Sequence, residues 1–196
     1  MNIILASGSP RRRELLERMG IKGFSVITSD ADESVDGSLH PGQQVEILSR
    51  RKADAVAAGI SPDSLVIAAD TVVALDGVVL GKPVDETDAF RMLTALSGAR
   101  HNVYTGVTVR KGTQVLTAHE VTSVDFRTLE AHEVEEYIAT GESLDKAGAY
   151  GIQGYGCLLV EGITGDYYNV MGLPVALLSR MLKQFGVDCL KLAAQN

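Results

Sequence analysis

The strongest pattern in the chain is a long apolar tract broken once by polar residues. Leu65-Val66-Ile67-Ala68-Ala69 is continuous, Asp70-Thr71 interrupts it, and Val72-Val73-Ala74-Leu75 resumes it. Short apolar runs bounded by turn residues read as buried strands. Asp76-Gly77 is a strong hairpin turn, after which Val78-Val79-Leu80 returns toward Gly81-Lys82-Pro83. That turn pairs Leu75 with Val78. Counting outward sets Thr71 against Lys82 and Pro83 against Asp70, unless a bulge or an early end of the ladder intervenes. By alternation Lys82 shares the face of Thr71 rather than that of Asp70. Residues 103–127 read as a second hairpin turning at Lys111-Gly112, and Ile3-Ile4-Leu5-Ala6, residues 24–28 and residues 158–163 as further strands.

Helical patterns fill most of the rest. Ser9 is placed to cap a helix that begins with Pro10, runs to about Met19 on Leu15 and Leu16, and stops at Gly20. Residues 41–58 carry Val45, Leu48, Ala55 and Val56 at helical spacing, and residues 85–96 and 129–139 follow. Residues 174–185 put Leu177, Leu178, Met181, Leu182 and Phe185 on one face. Residues 29–40 are acidic and turn-rich, residues 141–156 form a glycine-rich loop, and the tail from Asp188 is expected to fray. Hairpins and strand–helix alternation together predict an α/β fold: a mixed sheet flanked by helices, in one domain over residues 1–196.

Composition narrows the function. The chain is 45% hydrophobic and 22% charged, values that suit a packed globular protein, and with no Trp its core falls to Ile, Val, Leu and Ala. A net charge of −7 argues against a duplex nucleic-acid surface, yet Arg11-Arg12-Arg13 is a dense basic cluster. Cys157 and Cys189 form no CxxC pair and read as reduced packing residues. No leader or membrane span is visible, so the expectation is a cytoplasmic protein with no membrane partner.

Five places could carry chemistry. The first is Ser7-Gly8-Ser9-Pro10-Arg11-Arg12-Arg13, where a strand meets a helix start. It offers free N–H groups, hydroxyls and forked guanidinium donors to phosphate oxygens. Cations are unfavourable in a first helical turn, and an anion would explain three of them. The second is Asp70, either a strand end with local hydrogen bonds or a metal ligand or general base. The third is Glu33, a member of a solvated acidic loop or, with Asp70, a ligand for Mg²⁺. Lys52 lies on the second helix, where most charges are simply solvated. The glycine-rich segment Asp145-Lys146-Ala147-Gly148-Ala149-Tyr150-Gly151-Ile152-Gln153-Gly154 is a connector or a lid that shapes a ligand site, and Gln153 could both donate to and accept from a base edge. His40, His101, His119 and His132 have no metal spacing, and there is no Walker loop and no nucleophile elbow.

Ala6-Ser7-Gly8-Ser9-Pro10-Arg11-Arg12-Arg13-Glu14-Leu15-Leu16, Ala69-Asp70-Thr71, Gly81-Lys82-Pro83 and the segment from Asp145 to Gly154 closely resemble the Maf family of nucleoside triphosphate pyrophosphatases, over nearly the whole chain to about Phe185. The resemblance implies a Maf/ITPase-like fold with two lobes around a central cleft, and a cytoplasmic homodimer that cuts a nucleoside triphosphate to the monophosphate and pyrophosphate with Mg²⁺ or Mn²⁺. It implies Asp70 as catalytic base, Ser7, Arg12, Lys52 and Lys82 as phosphate-binding residues, and Glu33 and Asp70 at the metal. It also implies Arg11, Thr71 and Gln153 as specificity positions of the type acting on dTTP and UTP, and leaves Arg13 without a role. The 7-methyl-GTP-preferring type is one alternative. A regulatory nucleotide-binding protein of septum formation is another.

Overall fold

In the computed structural model, which describes residues 2–195, the broken apolar tract is one unbroken strand. In chain order the elements are β1 (Ile3–Leu5), α1 (Pro10–Arg18), β2 (Ser25–Val26), α2 (Pro41–Ala57), β3 (Leu65–Leu75), β4 (Val78–Leu80), α3 (Glu86–Leu96), β5 (Arg100–Lys111), β6 (Gln114–Phe126), α4 (Ala131–Ala139), β7 (Val160–Thr164), α5 (Tyr167–Met171), α6 (Val175–Lys183) and α7 (Cys189–Ala193). The strands form an open sheet in the order β2-β1-β3-β5-β6-β7, with β4 also on β3. β1 runs parallel to β2 and β3, and the other pairings are antiparallel. The sheet is therefore mixed and flanked by helices, as the pattern predicts.

Alternation along β3 sorts the core into two faces. Val66 and Ala68 pack with Ile4, Ala6, Ala53 and Val56 beneath α2. Leu65, Ile67, Ala69 and Val73 pack on the other face with Leu15, Leu16, Leu93, Leu178 and Leu182 from α1, α3 and α6. α2 lies very close to the sheet. A Cβ on Gly106 of β5 would stand 2.3 Å from the Val45 carbonyl oxygen, so only glycine leaves room there.

One edge of β3 is interrupted. β5 pairs with it along residues 65–74. On the opposite edge β1 covers Leu65 to Ile67 and β4 covers Val73 to Leu75, which leaves residues 68–72 without a strand neighbour. The chain turns away from β1 at Ser7 and from β4 at Gly81, and the gap between them is the mouth of a cleft.

Several expectations need correction. The hairpin at Asp76-Gly77 pairs Leu75 with Val78 as expected, but its ladder stops at Val73–Leu80, so Lys82 does not oppose Thr71; Thr71 pairs with Thr105 of β5 instead. The strand at residues 24–28 shrinks to Ser25–Val26. The glycine-rich loop holds two short 3-10 turns, at residues 147–149 and 155–158. α5 was not anticipated, because Tyr167–Met171 is too short to show a period. The tail does not fray. The Asp188 side chain caps α7, Cys189 is buried, and Ala193 lies where a Cβ on Gly20 would be. Both cysteines are free, but Cys157 is exposed and only Cys189 packs.

Candidate active site

The cleft has a volume of about 1070 Å³, at the upper end for small-molecule sites. All nine residues singled out for a site line it: Ser7, Arg11, Arg12, Glu33, Lys52, Asp70, Thr71, Lys82 and Gln153. Arg13 is exposed and stands outside it. The lining carries five cations, Arg11, Arg12, Lys52, Lys82 and Lys146, against four carboxylates, Glu33, Asp70, Glu142 and Asp145, within a chain of net charge −7. The local balance of charge thus suits an anion although the whole molecule repels one.

Asp70 and Thr71 sit on the uncovered stretch of β3 and project to opposite faces. Asp70 pairs with Gly106 and shares its face, the one under α2. There Lys52 donates to Asp70 Oδ1 at 2.6 Å and also meets Glu33 Oε1 at 2.8 Å. Lys52 and Asp70 side chains are only 15% and 13% exposed, so the pair is shielded from water, whereas Glu33 reaches in from the surface at 70%. The hydrogen bond from Lys52 holds the Glu33 carboxyl below the usual range. Arg51 bonds the backbone carbonyls of Asp32 and Ser34, which pins the acidic segment to α2 and delivers Glu33 to the site.

Lys52 has a signal in the sequence. It continues the sheet-facing positions Val45, Leu48 and Val56 at helical spacing, so a charge stands on the apolar stripe of α2. A cation on such a stripe has to have a buried partner.

Thr71 faces the other way, toward α1 and α5. Its hydroxyl accepts from Arg12 Nη2 at 3.0 Å and contacts Thr105 Oγ1 at 3.0 Å. Arg12 also donates from Nε to the Gly172 carbonyl at 2.8 Å and from Nη1 to Ser7 Oγ at 3.1 Å. Five N–H donors less these three leaves one on each terminal nitrogen for a ligand. Burial pulls the Arg12 pKa down and Asp70 pulls it back, and a guanidinium stays charged throughout.

At the start of α1, Ser9 occupies the cap position, yet its hydroxyl makes no capping bond. Pro10 has no N–H and the first turn has no acidic residue, so the Arg11 and Arg12 amides lie in the part of a helix that lacks internal acceptors. Across the mouth, Gln153 donates to Glu14 at 3.0 Å and Arg11 stands 3.9 Å from Asp145. Lys82 is exposed just beyond β4.

Sequence reasoning named the glycine-rich segment but not how it is held. Lys146 packs flat across Gly151, where a Cβ would lie 2.6 Å from its Cε, and donates to the Glu142 carbonyl at 2.8 Å. The Glu142 carboxylate receives the Tyr155 amide at 3.0 Å. Gly148, at φ +68°, leaves room for the side chain of Val73 on β3. Buried Tyr150 joins His101 at 2.8 Å.

Known proteins resemble this chain along almost its whole length. A family model described as Maf-like protein matches residues 2–185. The dTTP/UTP pyrophosphatase of Moorella thermoacetica is 54% identical over 189 residues, 95% of this chain and 96% of that protein. The dTTP/UTP pyrophosphatase of Pelotomaculum thermopropionicum is 50% identical over 190 residues, 96% of this chain and 98% of that one. Among solved structures, a HAM1 protein from Coxiella burnetii aligns with a TM-score of 0.50 at 14% identity, covering 94% of this chain and 99% of that one, which speaks to the fold alone. With a match over residues 2–185 and relatives at half identity or more along almost their whole length, the chain belongs to the Maf family.

Proposed function

We propose that this protein is a nucleoside triphosphate pyrophosphatase that hydrolyses dTTP and UTP to the monophosphate and pyrophosphate. The observation that carries the reading is the uncovered stretch of β3. It puts a carboxylate, Asp70, in a cleft whose rim is a helix start, two free guanidinium N–H groups of Arg12, and Lys82. The names of the relatives at 50% and 54% identity support the same activity.

The residues divide the work as follows. The triphosphate lies against the amides at the start of α1, Arg12 and Lys82, with the Ser7 hydroxyl proton, which none of its contacts uses, free to join them. Asp70 accepts the proton of the attacking water. Lys52 bonds one oxygen of Asp70 and thereby aims the other toward the cleft. In phosphoryl transfer the developing charge spreads over phosphate oxygens, so fixed cations lower the barrier. Arg11, Thr71 and Gln153 set the preference for dTTP and UTP.

A divalent cation, Mg²⁺ or Mn²⁺, fits these residues. Glu33 and Asp70 already converge on one positive atom, Lys52 Nζ, and both are hard oxygen donors. No cluster of three or more His, Cys, Asp or Glu exists among the described residues, so phosphate oxygens and water would complete the shell. Bound there, the ion would neutralise the leaving pyrophosphate. We extend the reading to one domain working as a cytoplasmic homodimer. Two free thiols suit a reducing compartment, and no helix among the described residues is long and apolar enough to cross a membrane.

A panel of nucleoside triphosphates with Mg²⁺ or Mn²⁺ tests this, with monophosphate and pyrophosphate measured separately. Pyrophosphate release from dTTP and UTP is expected. Release of orthophosphate would sink the choice of bond, a preference for 7-methyl-GTP or other purines would sink the subtype, and nucleotide binding without turnover would favour a regulatory protein.

A further inference from the structure

Arg12 begins a one-way chain of hydrogen bonds that runs out of the cleft into the core. Arg12 Nη2 donates to Thr71 Oγ1, Thr71 Oγ1 lies 3.0 Å from Thr105 Oγ1, and Thr105 Oγ1 lies 2.9 Å from the Asn169 carbonyl oxygen. Each hydroxyl has one proton to give. A carbonyl can only accept, so the Thr105 proton goes to Asn169. The Thr71 proton must then go to Thr105, or two oxygens would face each other at 3.0 Å with nothing between them. Only this direction puts a proton in every contact. Thr105 and Asn169 are fully buried, so no water competes for the bonds.

The far end of the chain is itself fixed. The Asn169 carbonyl also accepts the Gly172 amide at 2.9 Å, and the Gly172 carbonyl accepts Arg12 Nε at 2.8 Å. α5 and its cap residue Gly172 thus hold the guanidinium twice, once directly and once through two threonines. Thr71 and Thr105 meet because they are direct partners across β3 and β5.

We infer that Thr105, through Thr71, is a positioning residue for Arg12, and that the Thr71 hydroxyl, its proton spent on Thr105, can meet a substrate only as an acceptor or through Arg12. This rests on the reading of Arg12 as part of the substrate site.

The test is a double-mutant cycle read in two ways, as kcat/KM for dTTP hydrolysis and as Kd for inorganic triphosphate. Thr105→Val removes the hydroxyl at nearly constant volume and should lower kcat/KM and weaken triphosphate binding by about fivefold, the worth of one hydrogen bond. Thr105→Ser, which keeps the hydroxyl, should restore both. In an Arg12→Lys background, where the fork is gone, Thr105→Val should change neither value by more than about twofold, whereas independent residues would add. Equal losses in both backgrounds, or no loss in the wild-type background, would overturn the inference. If Thr105→Val does not fold, Thr71→Val breaks the same chain and enters the same cycle. A protein that binds triphosphate but releases no pyrophosphate from dTTP would refute the proposed activity while the Kd cycle still decided this point. Absence of triphosphate binding in the wild type would overturn the inference itself.

Discussion

On the proposed reading the chemistry turns on Asp70, the one carboxylate of a largely apolar strand. Asp70→Asn should retain nucleotide affinity and lose about 10²- to 10⁴-fold in turnover, the usual contribution of a general base; a binding assay beside pyrophosphate release separates the two. His101 gives a prediction about stability. It is buried on β5 against Tyr150, and burial lowers its pKa from 6.5 to about 4, with Asp125 opposing the shift. The folded protein therefore keeps His101 neutral where the unfolded chain already takes a proton. Stability should be full above about pH 6.5 and fall as the pH drops toward 4, by on the order of 3 kcal/mol from this group. Urea unfolding at pH 7 and pH 5 checks the sign, and His101→Gln should flatten that part of the profile. At this scale Asp70 was legible because an isolated charge contradicts its apolar neighbours. His101 was not, because one histidine in an alternating strand says nothing of its depth until the register is known.

Elements decide which residues meet. β3 alone carries Asp70 and Thr71, but its two partial neighbours, β1 and β4, leave both residues open to the cleft. α2 brings Lys52 because Gly106 lets the helix almost touch the sheet. Gly106→Ala should push α2 outward and cost about 1–3 kcal/mol, the range for overpacking a tight core. Thermal melts would show the loss, and activity should fall further than stability alone explains, since Lys52 moves with α2. A second contact holds the cleft at its mouth. Gln153 and Arg18 hold the Glu14 carboxyl below its usual range, which ties α1 to the glycine-rich loop. Most element bounds were readable from caps and periodicity, as in α2 with Pro41 at its start and α3 with Asp85 as cap. The reach of β4 was not legible, because a strand's end depends on what lies beside it. Here the loop reaches Gly81 through the Gly148 amide at 3.0 Å and takes over from the ladder.

For the molecule as a whole, the tail behaves as part of the fold. α7 buries Cys189, rests Leu192 on the core and places Ala193 against Gly20 at the end of α1. Truncation after Val187 should destabilise the protein by about 2–3 kcal/mol, the worth of one fully buried aliphatic side chain, and a lower melting temperature at unchanged nucleotide preference would show it. An unchanged melting temperature would mean that α7 adds nothing. The cleft is also a property of the whole. Its lining comes from both ends of the chain, Ser7 to Gly172, and its favourable charge for an anion coexists with a net −7.

The sequence by itself determined the mixed α/β class, most helix and strand positions, the strand-to-helix loop at Ser7 to Arg12 with its cluster of donors, and the anomaly at Asp70. Those depend on local chemistry: period, turn residues, caps, and a charge out of place. Only the tertiary structure decided that one edge of β3 is uncovered at residues 68–72, that Lys52 bridges Glu33 and Asp70, and that Thr71 faces Arg12 and Thr105. The physical reason is that each of these is a relation between strands or helices far apart in the chain. It is set by register and by how closely two backbones approach, and neither quantity is written in the residues of one segment.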